Sequence, residues 1–423
     1  MYYTLSSSTD IVLQPYGAFL SSRTGNRFDV INRLGTAILL HLTTPKSIAD
    51  IRERVTSVRT GVDSADVEHF IHALISSGYL SEHHSNDPDD PRGTVNFAAN
   101  PNVLKATRAD IEITNRCNLH CTYCYAEVNK SKHELSTDEW VAILSGMQAH
   151  GLRAVLFSGG EPFIRKDFVE LVAWATKELI VEINSNGFYI TEGVARRLAA
   201  SKLKRVQISL DSVEPAYHDS VRGRGSHEAA VRAIKLLAKF EVPVQVSTVI
   251  TKMNRDDLSK IGLFVQSIGG SFKADAITRT GFAKDIPDQR WEDDFRVSSS
   301  DRVDAAESRD SISHLLFIPL CQSQIGFIAI SHSGILKPCN MRESFFEPTA
   351  SLVLEARESR WWERFYGELS IGSAVVGAES LDDESKAALR KIHSGYLCEL
   401  QLALIGANRL EPTSLTQRII NAS

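Results

Sequence analysis

The amino-acid sequence predicts an α/β protein built around a partial (β/α)6 barrel, with an N-terminal winged-helix α+β domain and a C-terminal extension. Three observations carry this prediction. Residues 110 to 276 alternate β-rich runs with helical stretches six times, residues 1 to 84 join a hairpin to three amphipathic helices, and the polar stretch from His83 to Gly93, with two prolines, separates the two regions. A chain of 423 residues also exceeds what one compact core ordinarily fills, at roughly 150 residues per domain.

In the first region, Asp10 to Gln14 and Ala18 to Ser22 flank a Pro15-Tyr16-Gly17 turn and read as a hairpin. Leu34, Ala37, Ile38 and Leu42, and later Val67, Phe70, Ile71, Leu74 and Ile75, recur with the helical period, with a weaker helix at about Ser47 to Val55 between them. Tyr79-Leu80 closes the unit as a strand. Residues 1–84 are therefore expected to fold as one domain, with 85–107 as linker.

The barrel, residues 108–300, is expected to take its strands from Asp110 to Thr114, Ala154 to Ser158, Ile180 to Asn184, Arg205 to Leu210, Val244 to Ile250 and Ser271 to Ala276. Right-handed crossovers between parallel strands curl such a sheet and place functional loops at the C-terminal strand ends. In the remaining residues, 301–423, Gly326 to Ile330 and Ile335 to Lys337 around His332-Ser333-Gly334 read as a second hairpin.

Composition narrows the function. Hydrophobic residues are 43% and charged residues 23%, an ordinary globular balance, and the net charge of −5 supplies no basic field for nucleic acid or an anionic membrane. The N-terminus lacks a secretion signal and no apolar run reaches membrane-spanning length, so a cytoplasmic protein is expected. Six cysteines are too few for a disulfide scaffold, and in a reducing compartment they are thiols available to metals.

Three of them, Cys117, Cys121 and Cys124, form a Cys-x3-Cys-x2-Cys loop directly after the first barrel strand. Three thiolates leave one iron of a four-iron cluster without a protein ligand, whereas structural zinc wants four ligands and no fourth follows nearby. With Tyr123 before the last cysteine, the loop resembles the signature of the radical S-adenosylmethionine superfamily. That resemblance implies a [4Fe-4S] cluster whose open iron chelates S-adenosylmethionine, reductive cleavage to a 5′-deoxyadenosyl radical, and hydrogen abstraction from substrate. It also implies an electron donor such as flavodoxin or ferredoxin. No general acid, base or other catalytic side chain stands out.

Further strand ends fit the same family. Ser158, Gly159, Gly160 and Glu161 follow the second strand, where the glycines expose backbone groups and Glu161 can accept from the cofactor's ammonium. Asn186 after the third strand, and Ser209 and Asp211 after the fourth, resemble ribose-contacting positions. Arg222 resembles the arginine that pairs with the cofactor carboxylate.

Cys321, twelve residues, Gly334, four residues and Cys339 resemble the opening of the SPASM or twitch extension, whose cysteines carry auxiliary iron-sulfur clusters. With only Cys398 left, too few cysteines remain for two such clusters, so one auxiliary cluster on Cys321, Cys339 and Cys398 is expected. Alternatives are buried packing cysteines, or a hydrogen-atom donor as in peptide epimerases.

A winged-helix outline raises DNA binding, but residues 1–84 hold seven Lys/Arg against eight Asp/Glu, which leaves no cationic excess for phosphates. Val12 to Ala18 and Ser76 to Leu80 instead resemble the recognition element of ribosomal peptide maturases, in which a leader adds as a strand to the sheet edge beside the third helix. The three-part order is similar to that of the thioether-forming sporulation killing factor maturases. The expected function is a radical S-adenosylmethionine maturase that cross-links a ribosomally made precursor peptide through a thioether or carbon-carbon bond. Behind it stand a peptide epimerase, a twitch-type dehydrogenase of a small molecule, and a non-enzymatic winged-helix regulator.

Overall fold

The computed structural model of the chain describes residues 1–14, 17–22, 24–58, 64–83, 94–96, 107–126, 128–129, 133–149, 151–276, 327–337 and 354–355. Its N-terminal part runs β1 (Tyr2–Leu5), β2 (Thr9–Gln14), β3 (Gly17–Ser22), β4 (Arg27–Asn32), α1 (Arg33–His41), α2 (Ile48–Val58), α3 (Ser64–Ser76), β5 (Leu80–His83) and β6 (Thr94–Asn96). The hairpin β2-β3 forms as its alternating residues predict, and β4 extends it on the far side of β3. Because side chains alternate across a strand, Ile11, Ala18 and Leu20 face one way and Val12 and Phe19 the other, and all five are buried.

Ile11, Leu20 and Ile31 share the domain core with Val67, Phe70, Ile71 and Leu74 of α3, which sit at the spacing of one helical face. Two features differ from the sequence expectation. Tyr2–Leu5 is a strand paired antiparallel to Leu80–His83, so the closing strand starts at residue 80 and its partner lies at the far end of the domain sequence, as in the Leu5↔Leu80 pairing. Within the expected linker, Thr94–Asn96 lies parallel on β2 and covers that edge of the sheet, whose order is β4-β3-β2-β6.

The larger part follows as β7 (Arg108–Glu112), α4 (Thr137–Ala149), β8 (Ala154–Ser158), α5 (Phe168–Ala175), β9 (Ile180–Ser185), α6 (Glu192–Ala199), β10 (Arg205–Ser209), α7 (Pro215–Arg222), α8 (Ser226–Lys239), β11 (Val244–Ile250), α9 (Leu258–Ser267) and β12 (Ser271–Ala276), then β13 (Phe327–Ile330), β14 (Ile335–Lys337) and β15 (Leu354–Glu355). The sheet order is β12-β11-β10-β9-β8-β7-β13-β14-β15, and its first seven strands are parallel. Six described helices, α4 to α9, accompany it, and Trp140, Phe157, Phe168 and Ile183 are among the residues buried in the shared core. The first strand begins two residues before its expected place because Arg108 and Asp110, which read as polar, pair within the base of the sheet. The second hairpin is present, and its first strand joins β7 directly, so it continues the barrel sheet.

The outer face of the N-terminal sheet packs on the N-terminal ends of the barrel strands. Val12 and Phe19, with Phe28 and Val30, contact Ala154, Ile180 and Phe327. Around this apolar patch, Arg153 pairs with Asp10 at 2.8 Å, and Glu182 receives Arg205 at 2.7 Å and Arg108 at 3.1 Å. The opposite end of the sheet, where the strand C-termini lie, is left for the cysteine loop. Among the described residues no helix is long and apolar enough to cross a membrane.

Candidate functional site

The cysteine loop leaves β7 and returns past Asn129 to Glu134. Cys117 donates its backbone N–H to Asn129 Oδ1 at 3.0 Å, and Asn129 Nδ2 donates back to the Cys117 carbonyl at 3.1 Å. Asn129 has φ of 62°, a left-handed conformation that asparagine tolerates better than most residues. Glu134 takes the Thr114 hydroxyl and, at 3.0 Å, the Asn115 N–H, which closes the base of the loop.

The Ser158 to Glu161 turn is pressed against this base. Gly160 donates to the Thr114 carbonyl at 2.8 Å and Glu161 to the Arg116 carbonyl at 2.8 Å. A Cβ at Gly160 would lie 2.2 Å from the Arg116 oxygen, and one at Gly159, where φ is 128°, 2.4 Å from the Thr114 oxygen. The glycines are thus required for the close approach of two backbones as well as for any exposed groups. Ser158 is buried and its hydroxyl turns back to the Ile111 carbonyl.

Glu161 is fully buried. Its carboxylate accepts from the Phe163 N–H (3.2 Å), the Ser185 hydroxyl (2.9 Å) and the Asn186 N–H (2.8 Å), tying the second strand end to the third. Burial pushes its carboxyl up to about 7 and outweighs the three donors, which pull the other way. Asn186 reaches on to Asn118 Oδ1 at 3.0 Å and lies 4.0 Å from the Cys117 sulfur.

On the other side of the loop, Asp211 binds Arg222 through two hydrogen bonds, of 2.6 and 3.2 Å, and accepts the Tyr123 hydroxyl. The Arg222 guanidinium stands 5.3 Å from the centre of the Tyr123 ring. Burial opposes the Asp211 charge, but Arg222 outweighs it and holds the carboxyl below the usual carboxylate range. The Cys121 sulfur sits 3.9 Å from the Arg222 carbonyl. The structure therefore brings Cys117, Cys121, Cys124, Tyr123, Glu161, Asn186, Asp211 and Arg222 to one end of the sheet, and Ser209 ends β10 beside Ser247. Cys321, Cys339 and Cys398 lie outside the described residues.

Sequence reasoning missed Asn129, Glu134 and His218. His218 accepts the Asp211 N–H at 3.1 Å, and its spacing of four residues from Arg222 on one helix was the available signal. For Asn129 and Glu134 no local signal exists, since their work is to close a loop across the fold.

Residues 111–265 match the model of the Radical SAM superfamily. The mycofactocin maturase MftC of Mycolicibacterium smegmatis is 35% identical over 215 residues, which are 48% of this chain and 54% of that protein. The AdoMet-dependent heme synthase of Nitratidesulfovibrio vulgaris is 30% identical over 267 residues, 55% of this chain and 73% of that protein. In solved structures, Streptococcus suis SuiB bound to its precursor peptide SuiA shares the fold with a TM-score of 0.58 at 15% identity, covering 86% of this chain and 88% of that one. The chain belongs to the radical SAM superfamily. It spans about half the length of the mycofactocin maturase it matches.

Family membership implies a [4Fe-4S] cluster and S-adenosylmethionine, and the donor set fits them. Burial pushes the thiol of Cys117 up to about 12 and that of Cys124 up to about 11 and raises Cys121 as well, so a metal centre bound there would take the place of their protons. Among the described residues no three His, Cys, Asp or Glu side chains converge on a single ion. A cluster, with one thiolate for each of three irons, does not need that convergence.

Proposed function

We propose that this chain is a radical S-adenosylmethionine maturase that installs an intramolecular cross-link in a ribosomally synthesised precursor peptide. The observation that carries the reading is the N-terminal sheet: β6 covers its β2 side, β4 is an edge strand among the described residues, and the sheet is packed on the barrel. An edge strand presents unpaired backbone groups to an extended peptide, the mode by which a leader is added to a sheet. The PqqA peptide cyclase of Bradyrhizobium diazoefficiens, 37% identical over 155 residues, supports a peptide substrate.

When bound, the cluster and S-adenosylmethionine supply a 5′-deoxyadenosyl radical for hydrogen abstraction. This chain's part is to hold them: Cys117, Cys121 and Cys124 as ligands, and Ser158 to Glu161, Asn186, Ser209 and Arg222 around the cofactor. Glu161 has three donors on two oxygens and room for one more, and a cofactor ammonium would neutralise its buried charge. Cys321, Cys339 and Cys398 are assigned to one auxiliary cluster, and a flavodoxin or ferredoxin to electron supply, in a cytoplasmic setting.

A small-molecule substrate is the second reading, favoured by the heme synthase match. Membership in a family of radical enzymes leaves no support for the non-enzymatic regulator. The test is co-expression of the full-length chain with each short peptide that open reading frames beside its gene are found to encode. A cross-link removes a pair of hydrogen atoms from the peptide mass, which is the expected result. A mass unchanged in ordinary water but raised by a solvent deuterium in heavy water assigns an epimerase, and unchanged peptide alongside continued 5′-deoxyadenosine release overturns the peptide reading.

A further inference from the structure

We propose that Asp211 is a positioning residue that locks the cysteine loop and Arg222 together, and that it does not contact the cofactor's ribose. The proposal rests on the assignment of the cluster to Cys117, Cys121 and Cys124. It begins from an acceptor count. A carboxylate offers about four lone-pair sites, and Asp211 fills them with four donors: Arg222 Nη2 (3.2 Å) and the Val249 N–H (3.0 Å) on Oδ1, and Arg222 Nε (2.6 Å) and the Tyr123 hydroxyl on Oδ2. The residue is 1% exposed. No acceptor remains for a ribose hydroxyl, whereas Glu161, equally buried, keeps one.

The backbone of Asp211 is equally committed. Its N–H goes to His218 Nδ1 at 3.1 Å and its carbonyl accepts from Asn254 Nδ2 at 2.8 Å. One residue at the end of β10 is thus held by α7 and by the loop after β11, and its carboxylate reaches the loop that carries the cysteines.

Each partner places a part of that loop. Tyr123 lies between Cys121 and Cys124, so fixing its hydroxyl fixes the chain between two ligands. Arg222 ends α7, where the preceding Val221 carbonyl accepts the Thr122 N–H at 2.9 Å and its own carbonyl lies 3.9 Å from the Cys121 sulfur. Buried hydrogen bonds to charge are strong and costly to break, so the carboxylate sets where Cys121 and Cys124 stand relative to Arg222.

The test uses the full-length protein, reconstituted anaerobically and free of S-adenosylmethionine. Asp211→Asn keeps the shape and loses the charge; Tyr123→Phe removes only the hydroxyl. Both should speed iron loss to a chelator, Tyr123→Phe by about tenfold, as expected for one hydrogen bond to a charged group. Both should also shift the electron paramagnetic resonance signal of the reduced cluster, while the thermal unfolding midpoint of Tyr123→Phe falls by only a few degrees, the loss of one hydrogen bond. The double variant should be no faster than Asp211→Asn alone. Wild-type iron retention and spectrum in Tyr123→Phe overturn the proposal even if Asp211→Asn fails to fold. Wild-type retention in Asp211→Asn with weakened S-adenosylmethionine binding restores the ribose contact. A triple Cys→Ala variant at 117, 121 and 124 that keeps wild-type iron refutes the cluster assignment instead, so the two failures are distinguishable.

Discussion

The ring of Phe28 in the N-terminal sheet stands edge-on to that of Phe327 in the barrel, with centroids 6.3 Å apart. The Arg108 guanidinium lies against both rings, at 5.2 and 4.9 Å. Lys204 covers the Phe28 ring from 3.5 Å. An N-terminal domain joined in this way is part of the barrel's base, so deleting it would uncover Phe327, Ala154 and Ile180, and point substitutions in the full chain are the cleaner probe.

Phe327→Ala should destabilise the protein by about 3–5 kcal/mol, the usual cost of truncating a buried phenylalanine. Because the ring serves both domains, the loss should also separate their unfolding. Urea denaturation followed by fluorescence and circular dichroism checks this. A single transition at the wild-type midpoint would show that the two domains do not support each other through this contact.

Glu182 is the counter-ion of the same base. Burial opposes its ionisation, but Arg108, Lys204 and Arg205 outweigh that cost and hold its carboxyl down to about 2, from an ordinary 4.5. The unfolded chain binds the proton more tightly, so the stabilisation is complete above about 4.5 and is lost as the pH falls toward 2. Glu182→Gln leaves three cations facing one another and should cost about 3–5 kcal/mol at pH 7. Urea midpoints at pH 7 and pH 3 should show the gap between variant and wild type narrowing on acidification.

What could be read from the sequence follows from how local each signal is. β8, β11 and β12 occupy their expected residues because their apolar runs are bounded by turns within a few positions. β7 begins two residues before its expected start because Arg108 reads as polar until its partners Asp110 and Glu182 are known. β1 and β6 were invisible because pairing with β5 and β2 is decided by residues far along the chain. The site divides in the same way. The cysteines and the Gly-Gly-Glu turn announce themselves by spacing, whereas the inward use of Asp211 and Glu161, and the loop-closing roles of Asn129 and Glu134, exist only once separate strand ends meet.

The last prediction concerns Gly160, the tightest of those meetings. A methyl group there would sit 2.2 Å from the Arg116 oxygen and 2.5 Å from its carbonyl carbon. Both are backbone atoms of the residue before Cys117, so no side chain can swing aside and the cysteine loop itself must move. Gly160→Ala should cost about 1–3 kcal/mol through overpacking and should lower iron bound per chain after reconstitution, with the circular dichroism of the barrel retained. Gly146→Ala is the control: it lies within α4, where an added methyl meets nothing within 4 Å, and removing a mid-helix glycine should add about 0.5–1 kcal/mol without changing iron content. Wild-type iron loading by Gly160→Ala would mean that this backbone contact does not set the position of Cys117.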